Sequence, residues 1–389
     1  MNLTNFLNSN QADLSYVNLL TEADLTSEGA SYAWSGSNVQ ISVASYGALG
    51  DGTDQTSAIQ SAITANPNAT IYFPEGIYVV SSPILIGSNT RLLGADVLQN
   101  TIIKAAPTLS PSLPLFAGSN AYSLSSPRQN IYIKKLIIDG NNNANREFAL
   151  LFFCNTNGVY FIQSIIRNTS HTGLAVGGCQ NIRVWGSKFE NCGRETYSSS
   201  IGSTPALWSD TIAGFTASAA AVEKNLFLNN KWSAAYLGVN SGVFANNLCV
   251  GNKESAVYSG PNAVSISFLY NYITGQRKNN ISASGIEIDG GNYLTIRNNI
   301  INDCGNDGIS LQDSQWSIVE YNTCFNNGVE NTVPAFNLAS GITVYSNSTG
   351  TGNCTIRYNR CYDTANTQQI GLFLYKAPSA TQINNSVIT

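Results

Sequence analysis

Charged side chains are scarce. Asp, Glu, Lys and Arg make up 11% of the 389 residues, and Lys+Arg 19 against Asp+Glu 23 leaves a formal net charge of −4. Phosphate binding needs a concentrated cationic face, so a nucleic-acid binder working by charge is excluded. Histidine occurs once, and the eight cysteines form no CxxC pair, so a zinc site is not expected. No run approaches the ~18 apolar residues of a membrane-spanning helix. Met1-Asn2-Leu3-Thr4-Asn5-Phe6-Leu7 has neither the basic start nor the apolar stretch of a secretory signal. Either the protein is not exported by that route, or the chain is a trimmed form. Scarce charge beside 43% hydrophobic residues excludes a disordered chain. Asn, Ser, Thr, Gly and Ile are abundant, which leans towards β structure.

A short phrase recurs: Gly173-Leu-Ala-Val176, Ser233-Ala-Ala-Tyr236, Ala256-Val-Tyr-Ser259, Gly285-Ile-Glu-Ile288, Gly308-Ile-Ser-Leu311, Gly341-Ile-Thr-Val344 and Gly371-Leu-Phe-Leu374, with a weaker copy at Leu150-Leu-Phe-Phe153. A period of about 23 residues is too short for a helix-pair repeat and suits one coil of a parallel β-solenoid. After each phrase come a turn, an alternating second strand and a third apolar strand. Asn247, Asn271, Asn299, Asn322 and Asn359 then share one column. Stacked asparagines at a bend satisfy each other's amides along the axis. Cys249, Cys324 and Cys361 align with Ile273, Ile301 and Phe189 on the third strand, and Cys354 with Leu294 on the second. An even count permits disulfides, yet this register reads most of them as small apolar plugs with free thiols.

Residues 1–40 fit no repeat and are read as an arm or linker, with one β-helix domain over 41–389. Asp54 is placed to N-cap a helix carrying Ala58, Ile59, Ala62 and Ile63 on one face, closing the solenoid's open end. The segment Ile41–Ile63, then Thr70-Ile-Tyr-Phe-Pro74-Glu-Gly-Ile-Tyr78 and Leu136-Ile-Ile-Asp139-Gly140-Asn141, resembles the pectate-lyase-like, right-handed parallel β-helix superfamily. That superfamily includes polysaccharide lyases, glycosidases, tailspikes and mannuronan C5-epimerase modules. The resemblance covers roughly residues 41–389 and implies an all-β, right-handed parallel β-helix with an N-terminal capping helix. It specifies the reaction only weakly. The epimerase modules carry Tyr-Gly-Phe-Asp-Pro-His-Glu where this chain has Thr172-Gly173-Leu174-Ala175-Val176-Gly177-Gly178. Ala175 and Gly177 stand at the catalytic Asp and His positions, so that mechanism is not supported. Polygalacturonase-like glycosidases are similar at Ser170-His171-Thr172-Gly173, but their other motifs are missing. The C-terminus stops at the end of a third strand with no visible cap, which reads as a longer protein or an end covered by another domain or subunit.

Within Gly285-Ile286-Glu287-Ile288-Asp289, alternation sends Glu287 and Asp289 outward. Aligning the phrases puts Ala175, Ala235, Tyr258, Ser310, Thr343 and Phe373 in Glu287's column. Asp289's column then holds Gly177, Leu237, Gly260, Gln312, Tyr345 and Tyr375. Carboxylates two apart on a strand lie ~6.5–7 Å apart, near the ~6.5–9.5 Å of inverting glycosidases. Glu287 is read as general acid, its pKa raised by Tyr258 and Asp289. Asp289, facing Gln312 and the gap at Gly260, is read as general base, with Asp313 a third candidate. Asp307 is read as turn chemistry. Tyr258, Gln312, Tyr345, Tyr375 and His171 are the expected substrate contacts, with Trp208 and Trp232 as cleft walls in an insertion around 194–232 and Arg277 as a contact for an anionic sugar. The expected function is two-carboxylate hydrolysis of a polysaccharide. The alternatives are a lyase or epimerase on uronate polymers, or a glycan-binding tailspike or adhesin module that does no chemistry. No cofactor is expected, and calcium enters only on the lyase alternative. A homotrimer or an added C-terminal domain is the expected assembly, at the cell surface, outside the cell or on a virion.

Overall fold

The computed structural model describes residues 39–95, 100–118, 128–143, 146–194, 204–211, 215–277, 283–330, 339–346 and 351–376, with the backbone of 383–384 and 387–388. Almost every described element is a strand of three to seven residues. Such short strands can bury their apolar sides only by stacking on the same strand of the next coil. They form sheets of 11, 13 and 12 strands, parallel throughout, and each strand's sheet neighbours come from the preceding and following coils. The first sheet runs from Ile84–Ile86 to Ile370–Lys376, the second from Gln40–Ser42 and the third from Asp51–Asp54. The chain is a right-handed parallel β-helix, the hand that parallel crossover connections take.

The interior is a single continuous core in which like residues stack. Phe189 stacks on Phe227 with ring centroids 5.0 Å apart, and Phe227 on Phe244 at 5.9 Å. At the bend before the third sheet, Asn271 Nδ2 donates to Asn299 Oδ1 at 2.9 Å, and Asn299 Nδ2 to Asn322 Oδ1 at 2.9 Å. The ladder begins one coil earlier than the sequence suggests, at Asn225, whose Nδ2 donates to Asn247 Oδ1 at 3.1 Å. Cysteines fill core positions in register, Ile301 with Cys324 and Cys324 with Cys361, and all eight are free thiols.

Helix α1 spans Thr56–Ala65 and turns Ile59, Ala62 and Ile63 onto the core. Its start corrects the expected cap. Gln55 holds the N-cap position, and its amide oxygen accepts from Gly50 N–H. Asp54 instead accepts the N–H of the first helical residue, Thr56, at 3.1 Å. The expected arm lies outside the described residues apart from its last two. No helix among the described residues is long and apolar enough to cross a membrane.

Candidate active site on the first sheet

Parallel register brings one outward residue per coil into each column. The structure's first column is Phe152, Ala175, Trp208, Tyr236, Tyr258, Glu287, Ser310, Thr343 and Phe373. The second sets Cys154, Gly177, Asp210 and Gly238 in line, then Asp289, Gln312, Tyr345 and Tyr375. Two expectations are corrected. Tyr236 and Gly238, not Ala235 and Leu237, face outward, because Ala235 pairs with Val257. Trp208 is not in an insertion, since Leu207–Asp210 is a strand of the sheet and brings Asp210 onto this face.

Glu287 is half-buried and accepts a hydrogen bond from the Ser255 hydroxyl. Burial pushes its carboxyl up to about 7. The charges of Glu254, Asp289 and Asp307 push the same way, against the Ser255 bond. Asp289 accepts on both oxygens, from the Tyr258 hydroxyl at 3.1 Å and Gln312 Nε2 at 2.8 Å. Tyr258, the register neighbour of Glu287 on the preceding coil, thus donates its hydroxyl to Asp289. Burial and the neighbouring Asp289 push the Tyr258 phenol far above its usual range, which keeps it a donor. The gap expected at Gly260 is filled, for a Cβ there would lie 2.7 Å from the Tyr236 hydroxyl.

Asp210 is the side chain that the sequence reading missed. It accepts from Asn262 Nδ2 at 3.2 Å and from the Tyr236 hydroxyl, and burial raises its pKa. Its carboxylate leans over Gly238, where any Cβ would collide with it. Tyr236 stacks on Tyr258 with centroids 5.4 Å apart, and Trp232 lies 6.5 Å from Tyr258. Trp232 thus does flank the face. Beyond the acids, Tyr345 and Tyr375 stack at 5.1 Å.

The other candidates lie further off. Asp313 occupies a buried turn one coil beyond Asp289, its N–H bonded to Tyr345 O at 2.9 Å. Arg277 is exposed, and its charge acts on Asp303, while Lys278 lies outside the described residues. His171 precedes strand Leu174–Gly177, four coils before Glu287, and is not brought to the acids. Asp307 is more than a turn residue, being buried with Oδ1 accepting the Ser340 N–H at 2.9 Å. Burial pushes it up to about 7. Among the described residues no group of three or more His, Cys, Asp and Glu side chains is arranged to hold a metal ion.

The comparisons agree with this architecture. A family model described as rhamnogalacturonase A/epimerase, pectate lyase-like, matches residues 40–271, and a right-handed β-helix region model matches 216–389. A DFA-IIIase of Arthrobacter chlorophenolicus, solved without its lid, superposes with TM-score 0.60 at 12% identity over 91% of this chain and 99% of that one. The A-module of a mannuronan C-5 epimerase of Azotobacter vinelandii superposes with TM-score 0.57 at 16% identity over 90% of this chain and 97% of that one. The preneck appendage protein of Bacillus phage PZA is 35% identical over 103 residues, 26% of this chain and 11% of its own length. This chain therefore matches about a tenth of that phage protein.

Proposed function

We propose that this chain, which belongs to the rhamnogalacturonase A/epimerase, pectate lyase-like family, cleaves glycosidic bonds in a polysaccharide laid along its first sheet. The observation that carries the reading is the pairing on strand Ile286–Asp289. Glu287 holds its proton up to about pH 7, and its strand neighbour Asp289 is fixed by two donors. Glu287 protonates the leaving oxygen. Asp289, ~6.5–7 Å along the strand, activates water on the other side of the sugar, as inverting hydrolysis requires. Tyr258 and Gln312 position Asp289, and the aromatic side chains at Trp208, Tyr236 and Tyr345 offer faces to sugar rings.

Glu287→Gln and Asp289→Asn keep shape and remove the proton chemistry, so each lowers turnover about 10²-fold or more with the fold intact. The assay is a glycan panel scored for new reducing ends and for absorbance near ~235 nm, where the unsaturated uronate left by elimination absorbs and hydrolysis products do not. Activity declines as pH rises through about 7, since Glu287 then loses the proton it donates. Two folded variants with wild-type turnover refute the assignment and move the search to Asp313 and Asp210. A second reading is glycan binding without cleavage, which the stacked aromatic side chains on this face also suit. It gives saturable binding with no change in polymer length.

A further inference from the structure

Four coils before the acid pair, at the bend entering the first sheet, buried hydrogen-bond donors on neighbouring coils have no acceptor among the described residues. Arg146 is completely buried, at 0% exposure. Its Nη2 donates to the Leu113 carbonyl, but Nε and Nη1 are buried with no partner. Its backbone N–H donates to the Ser170 hydroxyl at 2.9 Å, which places it against the next coil beside His171. His171 Nδ1 accepts the N–H of Thr172 at 2.8 Å, so the neutral ring carries its proton on Nε2 and is a donor there. The following coil adds Arg194, tied in by the bond from Gly193 N–H to the His171 carbonyl at 3.0 Å. Thr204 exchanges both backbone hydrogen bonds with Arg194, and its hydroxyl is again buried and unpartnered.

Three basic side chains thus stand on three successive coils, and no ion pair joins any of them to a described carboxylate. Glu147, next in the chain to Arg146, accepts from Ser112 at 2.6 Å, and Glu190 pairs with Lys188 at 2.9 Å. A buried guanidinium with two unpartnered nitrogens, three N–H groups in all, is costly unless an anion answers it. The planar fork of arginine matches an oxyanion in particular. We propose that Arg146, His171, Arg194 and Thr204 form a binding site for a small oxyanion, either a free inorganic anion or a carboxylate carried by a sugar. The site is separate from Glu287 and Asp289 and does not depend on the reaction assigned to them.

His171 is the chain's only histidine, so its imidazole resonances need no assignment. Burial, then Arg194 and Arg146, hold it down to about 4. An anion seated between the two arginines offsets their repulsion of the imidazolium. The test follows the imidazole by NMR against pH in sodium chloride, then at matched ionic strength in sodium sulfate and in sodium glucuronate. Sulfate is expected to raise the midpoint by about one pH unit, which by linkage is about tenfold tighter sulfate binding to the protonated form. The same shift with glucuronate at lower concentration than sulfate assigns the site to a sugar carboxylate, and a shift with sulfate alone assigns it to a free anion. Arg194→Gln, at a half-buried position, should remove most of the shift. Arg146→Gln should abolish it, and the Arg194 variant carries the test if that buried change unfolds the chain. A midpoint that neither anion moves overturns the proposal and means that the chain already supplies the counter-charge.

Discussion

Burial decides what the carboxylates of this molecule do, and Asp307 is the clearest single case. It lies beneath the acid face, bonded to the Ser340 N–H, and is pushed up to about 7 by burial, with Thr343 and that N–H opposing. A raised carboxyl means that the native state holds a proton that the unfolded chain releases near its ordinary pKa. Stability from this group is therefore complete below the ordinary carboxylate range and is lost as pH rises towards about 7. Asp307→Asn keeps the acceptor oxygen and removes the ionisation. The variant should be about 4 kcal/mol more stable than wild type near about pH 8, and close to it near about pH 4. Urea unfolding at the two pH values measures the difference. Equal effects at both would mean that Asp307 is not protonated in the native state. Glu287 follows the same sign, so the acid assigned to chemistry also weakens the fold as pH rises towards about 7.

At the scale of elements, the bend before the third sheet was legible and the bend after it was not. Asn247, Asn271, Asn299, Asn322 and Asn359 announce the first ladder by simple recurrence. Five residues further on, across each third strand, Asn230 donates to Asn252 at 2.8 Å and Asn252 to Gln276 at 3.0 Å. The constant spacing of five was available in the sequence, but Cys304 interrupts the column, its N–H served by Asn327 Oδ1 at 3.2 Å. The first sheet was misread in one coil for a different reason. Ser233-Ala234-Ala235-Tyr236 is small at three positions in a row, so hydrophobicity does not fix its phase, and a slip of one residue turns every side chain to the other face. The strand that carries Asp210 was hidden differently, because the stretch around 194–232 reads as an insertion that interrupts the repeat. For the ladder itself, Asn299→Ala removes an amide that links Asn271, Asn322 and the Phe268 carbonyl. Each buried partner left without its bond costs about 1–3 kcal/mol, so a loss of about 3 kcal/mol or more is expected. Thermal unfolding reads it, and a loss below about 1 kcal/mol would show that the column is not holding the coils together.

For the whole molecule, stacking turns a 23-residue pattern into a long outward face, on which the proposed polymer would lie. From the coil of Trp208 to that of Tyr375 the first sheet rises about 29 Å at ~4.8 Å per coil. Trp208, Tyr236 and Tyr258 lie on one side of the acid pair, and Tyr345 and Tyr375 lie on the other. A polymer bound along this axis should gain affinity with each added sugar until the span is filled, then gain no more. The measurement uses Glu287→Gln, which binds without turnover, and oligosaccharides of increasing length from whichever glycan the panel identifies. Trp208→Ala in that background lies three coils from Glu287. It should weaken long oligosaccharides about tenfold and leave short ones that reach only the acids unchanged. An equal loss at every length would make Trp208 a packing residue and confine the site to the coils around Glu287. A binding-only module would show the same dependence on length, so product size with the wild-type chain must be read beside it. Shorter products together with the length-selective Trp208 effect are the result that the cleavage reading requires, and unchanged polymer length with that effect intact would leave the face as a glycan-holding surface alone.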